Sequence, residues 1–177
     1  KFEAGTQNLI GIAGLLASMR WLKENHIQVL KNEIALTNRF ITGINELSLK
    51  YPIKLIGLNL EQSGYLIDIE EVECGLNFEN LKKNYHLLED RELLIEKIHR
   101  TPVVSVYSDE IDIASLSFYL ESEGKIATRV GMQCSPLAHT SLKTFPNGTL
   151  RFSFGYNETI KDVDYCLKLI KVFFSEE

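Results

Sequence analysis

The chain has 177 residues, 45% hydrophobic and 24% charged, which is enough apolar material for one buried core and excludes disordered, collagen-like and low-complexity classes. Its 19 basic side chains against 24 acidic ones leave a net charge of -5, the wrong balance for a protein that clusters Lys and Arg on a phosphate backbone, so nucleic acid is excluded as a partner. Cys74, Cys134 and Cys166 cannot all pair and show no CxxC spacing, which argues against a metal site and for a reducing compartment.

The chain opens on Lys1-Phe2-Glu3-Ala4-Gly5-Thr6 without an initiator Met and runs at once into apolar sequence, so further sequence is expected upstream. Leu9 to Ala17 is apolar nearly all round, the pattern of a helix buried on several sides, with Gly11 and Gly14 open to a close neighbour. The apolar stretch Leu9 to Leu22 contains Arg20 and is shorter than the roughly 18–20 residues that span a bilayer. It also lacks the pattern of a signal peptide, so no membrane is expected and the chain reads as cytoplasmic. From Gln28 to Leu49 the residues Leu30, Ile34, Ile41, Ile44 and Leu47 recur at helical steps and predict a second long helix, stopped by Tyr51-Pro52.

Ile53 to Leu58 and Tyr65 to Ile69 read as short strands. Residues 61–92 carry nine acidic and three basic side chains, which suits either a solvated helix, with Leu81, Leu87, Leu88, Leu94 and Ile98 inward, or a face turned to a partner. Val103 to Tyr107 is a strand; Asp112 or Asp109 caps the helix that carries Leu116 and Leu120, and Gly124 is expected to end it as a left-handed C-cap glycine. Lys125 to Val130 is the next strand, and residues 131–148 form a loop closed by the turn Pro146-Asn147-Gly148. Thr149 to Phe154 alternates as a strand, and Thr159 with Asp162 forms a capping box for a last helix that turns Val163, Cys166, Leu167, Ile170 and Phe174 inward. The fold class is α+β: a small, mostly antiparallel sheet with helices packed on one face, preceded by two longer helices.

The chemistry concentrates between Arg129 and Arg151. A cysteine attacks as its thiolate, which nearby cations favour, and Cys134 lies in a loop that starts at one arginine and returns toward the other. Guanidinium forks also suit a carboxylate, so Arg129 or Arg151 fits the carboxylate of an amino acid within reach of Cys134. The same residues also admit plain roles. Either arginine serves equally as surface or as a structural partner of Asp or Glu, His139 as a helix-cap or solvent histidine, Cys74 as a tolerated thiol and Cys166 as a small core hydrophobe. No metal set is complete.

Phe2-Glu3-Ala4-Gly5-Thr6 with Asn8, the loop RxGxxCxPLAH at 129–139 and FPNGTLRFSFGYNET at 145–159 follow one another in an order that resembles the C-terminal part of cysteine desulfurases. These belong to the pyridoxal-phosphate-dependent class V aminotransferase superfamily. The resemblance implies that Cys134 is the active-site cysteine, which takes sulfur from L-cysteine as a persulfide and leaves L-alanine. It implies that Arg151 binds the substrate carboxylate, that Arg129 is a second electrostatic partner, and that Thr6 contacts the cofactor phosphate of the other subunit in a homodimer. A sulfur-acceptor protein is the implied partner.

The family's cofactor lysine lies in a Ser-x-His-Lys type motif ahead of FEAGT, and this chain has no such motif; Lys143 stands in a different context. The resemblance therefore implies that pyridoxal 5'-phosphate belongs to the full-length protein and that the chain alone neither retains it nor turns over. Residues 1–27 read as a remnant of the large cofactor domain, and residues 28–177 as the C-terminal small domain with an unusual insertion at about 59–100. Met132-Gln133 replaces the more usual Leu-His before the cysteine and so removes a possible proton donor. Two other functions stay open: an aminotransferase or β-lyase acting on another amino acid, with Cys134 a bystander, and a stand-alone interaction or dimerisation domain.

Overall fold

Asn8 begins the first element by accepting a hydrogen bond from the backbone N–H of Gly11 (2.9 Å), and from there the chain runs as one helix, α1, over Leu9–Ser48. A computed structural model describes residues 5, 7–56 and 101–176. Thr6, Cys74, the acidic stretch 61–92, the strand expected at Tyr65 to Ile69 and the insertion at 59–100 lie outside the described residues. The two helices expected before the sheet are therefore one. No Pro or Gly falls between Leu15 and Thr42, and the residues joining the two apolar patterns, Ser18 to Ile27, contain nothing that breaks a helix. At 1.5 Å per residue α1 is about 60 Å long, and its two ends differ. Leu36, Phe40, Ile41 and Ile44 are buried, whereas Leu9, Ile10, Leu15 and Met19 are exposed. The apolar beginning, expected to be covered on several sides, is exposed, and among the described residues the ring packing on α1 extends back to Trp21, whose ring meets Tyr156 edge-on at 4.7 Å.

Four strands follow: β1 (Lys54–Leu55), β2 (Val103–Tyr107), β3 (Arg129–Gly131) and β4 (Thr149–Ser153), interleaved with helices α2 (Ile113–Gly124), α3 (Pro136–Ser141) and α4 (Ile160–Glu176). The strands form one antiparallel sheet in the order β1-β2-β4-β3. Strand residues alternate between the two faces of a sheet. Val104, Val106, Leu150 and Phe152 therefore turn to one face, where α1, α2 and α4 cover them in a single apolar core. The rings of Phe40 and Phe152 lie 4.6 Å apart at the centre of that core. Val103, Ser105, Tyr107 and Arg151 turn to the other face, which these helices leave uncovered. The α+β class, with an antiparallel sheet and helices on one side, is the architecture observed.

Helix α4 is opened by the capping box. The carboxylate of Asp162 accepts from the backbone N–H of Thr159 (2.7 Å) and from its hydroxyl (2.6 Å). Val163, Cys166, Leu167, Ile170, Phe173 and Phe174 line its buried side, and burial pushes the Cys166 thiol up to about 12. Where α4 crosses α1, Gly43 faces the Leu167 side chain with no room for a Cβ. Asp112 is the N-cap of α2, accepting from the backbone N–H of Ala114 (3.0 Å). The left-handed residue after α2 is Lys125, with φ 55°, and not Gly124. Gly124 remains helical, and its missing side chain makes space for Leu169 of α4.

Candidate active site

The central strand β4 carries Arg151 between two core residues, Leu150 and Phe152, so its side chain emerges on the open face of the sheet. Register fixes its neighbours. Arg151 stands directly opposite Ser105 of β2 on one side and directly opposite Arg129 of β3 on the other. Directly opposed residues share a face with Cβ atoms about 4.5–5.5 Å apart, so Ser105, Arg151 and Arg129 form a row across three strands. Like charges opposed in this way repel each other and weaken the sheet. Among the described residues neither arginine has an ion-pair partner, and the Nε of Arg151 is buried without a hydrogen-bond acceptor. Both features cost stability, and an anion on this face would relieve the repulsion between the two guanidinium groups. The row is suited to a carboxylate, with two cationic forks and a hydroxyl on one surface.

Cys134 follows directly from β3. After Gly131 (φ 103°) the backbone enters the left-handed region at Gln133 (φ 49°) and Cys134 (φ 63°), and the Ser135 N–H closes the turn on the Met132 carbonyl (2.9 Å). Bulky residues seldom adopt that geometry, and it presents Cys134 to solvent. The turn is tied down from several sides. The Gln133 side-chain amide donates to the Arg129 carbonyl (3.2 Å) and lies 3.5 Å from both the carbonyl and hydroxyl oxygens of Thr149. Gly148 (φ 77°) packs directly on the backbone of Gly131, so close that a Cβ there would collide with it, and the two ends of the loop are pinned together.

The expected loop 131–148 contains α3, whose first residue is Pro136, as a helix start favours. His139 is neither a cap nor a solvent histidine. It is buried, its Nδ1 is hydrogen-bonded to the Thr144 hydroxyl (2.7 Å), and its carbonyl accepts from the N–H groups of Thr144 and Phe145. That residue anchors the loop. Its burial depends on the tertiary return of residues 142–145, which no local pattern announces.

Of the residues singled out in the sequence, Arg129 and Arg151 are side by side, Cys134 begins three residues beyond the strand of Arg129, and Thr6 lies outside the described residues. Two further residues belong to the site. Ser105 had a signal, as the polar residue at the outward position of an otherwise apolar strand. Gln133 stood out in the sequence only as a replacement beside the cysteine, because its contact with Thr149 reaches across strands that only the fold brings together. Lys54, opposite Tyr107, shares the open face, but its ammonium is held by Asp109 at 2.7 Å. That hydrogen bond, together with the Asp109 charge, keeps Lys54 above the ordinary lysine value. Among the described residues no three His, Cys, Asp or Glu side chains gather as metal ligands, and no helix is long and apolar enough to cross a membrane.

Residues 76–166, just over half of the chain, match the family model described as aminotransferase class-V. No curated protein matches. Among solved structures the chain is similar to the apo structure of a cysteine desulfurase from Thermococcus onnurineus NA1, with a TM-score of 0.68 and 20% identity over 99% of this chain and 34% of the other. It is also similar to the S-sulfonic acid form of the cysteine desulfurase CsdA from Escherichia coli, with a TM-score of 0.62 and 18% identity over 98% of this chain and 32% of the other. At these identities the likeness is one of fold. The chain spans about a third of the length of both structures.

Proposed function

The chain belongs to the class-V aminotransferase family, and from that premise we propose that it acts as the C-terminal, substrate-holding and sulfur-accepting part of a cysteine desulfurase. The observation that supports this most is the opposed pair Arg129 and Arg151, placed on the open face directly beside the turn that carries Cys134. Residues 1–27 would then belong with a large cofactor domain and residues 28–177 form the small domain. The exposed apolar start of α1 is in keeping with such a division.

In this reading Arg151 takes the α-carboxylate of L-cysteine in its guanidinium fork, with no ion-pair partner competing for it among the described residues. Arg129 adds a second positive charge and keeps the carboxylate ionised, while the Ser105 hydroxyl offers a neutral donor on the opposite side. Cys134 attacks the substrate sulfur as a thiolate. An S–S bond forms between its Sγ and that sulfur as the substrate C–S bond breaks. The electron pair of the broken bond remains on the substrate carbon and takes up a proton, so that one L-cysteine gives one L-alanine and one persulfide on Cys134.

Pyridoxal phosphate, the cofactor implied by the family resemblance, supplies the electron sink for such chemistry. The described residues do not provide its anchor. Among the described residues Lys54 lies on the open face, and as an ammonium bound to Asp109 it is a poor imine-forming amine. The cofactor, a homodimer contact through Thr6 and a sulfur-acceptor protein are accordingly parts of this proposal for the whole protein.

The test uses the natural protein that carries this chain, supplied with pyridoxal phosphate and L-cysteine. Alanine is expected to form, with one added sulfur on the Cys134 peptide and none on the corresponding peptide of Cys134→Ser. Undiminished sulfide release from Cys134→Ser, even with an acceptor protein present, would favour a β-lyase in which Cys134 is a bystander.

A further inference from the structure

Gln133 does more than precede the cysteine. Its side-chain amide carries two hydrogens, and the structure offers each a separate strand. One is directed to the carbonyl of Arg129 on β3 (3.2 Å), and the other lies near the carbonyl and hydroxyl oxygens of Thr149 on β4 (3.5 Å each). These are the two strands that carry the arginine pair. The residue making this bridge is itself left-handed, as is Cys134 after it, and non-glycine residues hold such conformations only where their surroundings impose them. The Ser135 to Met132 backbone bond closes the turn, and Gly148 packs on Gly131 at its base. Gln133 is the side chain that ties it back to the sheet.

We propose that Gln133 is the positioning residue of the site, fixing the left-handed turn at Cys134 to both arginine-bearing strands so that the thiol stays in register with the bound carboxylate. This rests on the desulfurase reading for its catalytic meaning, although the conformational part stands without it. In this reading the amide does not exchange protons with the substrate. It acts through geometry, and the position needs a hydrogen-bond donor of glutamine's reach, which a hydrophobic side chain of similar length does not supply.

The experiment compares Gln133→Met, which keeps the length and loses the donor, with Gln133→Ala. By NMR of the chain, wild type is expected to show the strong intraresidue HN–Hα cross-peak of positive φ at Cys134. Both variants are expected to lose it while the resonances of Phe40, Leu150 and Phe152 stay in place. In the natural protein loaded with pyridoxal phosphate, both variants are expected to lower kcat for persulfide formation by ~10², the scale of a misplaced reacting group, with KM for L-cysteine little changed. Retention of the wild-type cross-peak and kcat in Gln133→Met would overturn the proposal, since side-chain volume alone would then suffice. A KM effect without a kcat effect would overturn it too, because Gln133 would then belong to substrate binding. If the wild-type protein forms no persulfide at all, the desulfurase reading fails, and the cross-peak in the variants still decides whether Gln133 sets the turn.

Discussion

Leu150, Arg151 and Phe152 are consecutive residues of one strand, yet they belong to two surfaces with opposite physics. On the core face Leu150 and Phe152 meet Phe40, Leu36 and the inner side of α4, and each contact removes apolar area from water. On the open face Arg151 faces a like charge across the ladder and keeps a buried donor without an acceptor among the described residues. The first face is arranged for stability and the second is arranged against it. Strain and unsatisfied polarity concentrate where a protein binds something, so the contrast supports the proposed reading of the open face as the working surface, with the fold's stability resting on the other.

The comparison is broken most directly by substituting neighbours on β4. Phe152→Ala is expected to cost about 3–5 kcal/mol of stability, measured by denaturant unfolding. Arg151→Ala is expected to stay within ~1 kcal/mol of wild type, since it removes a repulsion along with its own packing. Its loss appears in binding, as a ~10–100-fold rise in KM for an amino-acid substrate, the scale of one charged hydrogen-bonded contact. Equal destabilisation by the two would make Arg151 a structural residue and end the distinction.

Two of the three cysteines sharpen it next. Cys134 is exposed on its turn, and Cys166 is buried with its thiol pushed up to about 12. Brief alkylation of the native chain at neutral pH followed by peptide mapping is expected to label Cys134 and spare Cys166 until the protein is unfolded. Labelling of Cys166 at a comparable rate would mean that the core face opens readily.

The smallest effect concerns the entry to α4. Hydrogen bonds from the Thr159 hydroxyl, and then from its backbone N–H, hold the Asp162 carboxyl below its ordinary value of 3.8. A depressed folded value favours the ionised form in the native state. The stabilisation is thus complete above the unfolded value and disappears as pH falls through the lower folded one. Asp162→Asn is expected to lower Tm slightly at neutral pH, with the gap to wild type closing on acidification. A gap that widens in acid would contradict this assignment.

Much of the core face was legible as pattern. The alternation in Val103 to Tyr107 and Thr149 to Ser153, and the inward spacing of Val163, Cys166, Leu167 and Ile170, follow from the periods of strand and helix. Leu36 and Phe40 escaped that reading because the selected stripe on α1 was narrower than the face the sheet covers. The joining of two expected helices into Leu9–Ser48 was obscured by a change from all-round to one-sided apolarity, which reflects a change of surroundings and not a break in the helix. Gly124 drew the expectation of a left-handed cap, but its small size is used for Leu169, and Lys125 takes the turn. On the open face, sequence supplied Arg129, Cys134 and Arg151 as candidates but not their arrangement. That Arg129 opposes Arg151 and that Gln133 reaches Thr149 on β4 are consequences of strand register, which no short window contains, and the burial of His139 on Thr144 follows from the fold of the loop.

The central claim is that the open face holds an amino acid by its carboxylate while Cys134 takes its sulfur. Mass spectrometry of the natural protein after a single turnover with L-cysteine and pyridoxal phosphate tests this most directly. The account predicts one added sulfur on the Cys134 peptide for each alanine formed, with the yield at low substrate falling in Arg151→Ala. Alanine formed at the wild-type rate with the Cys134 peptide unmodified would contradict it.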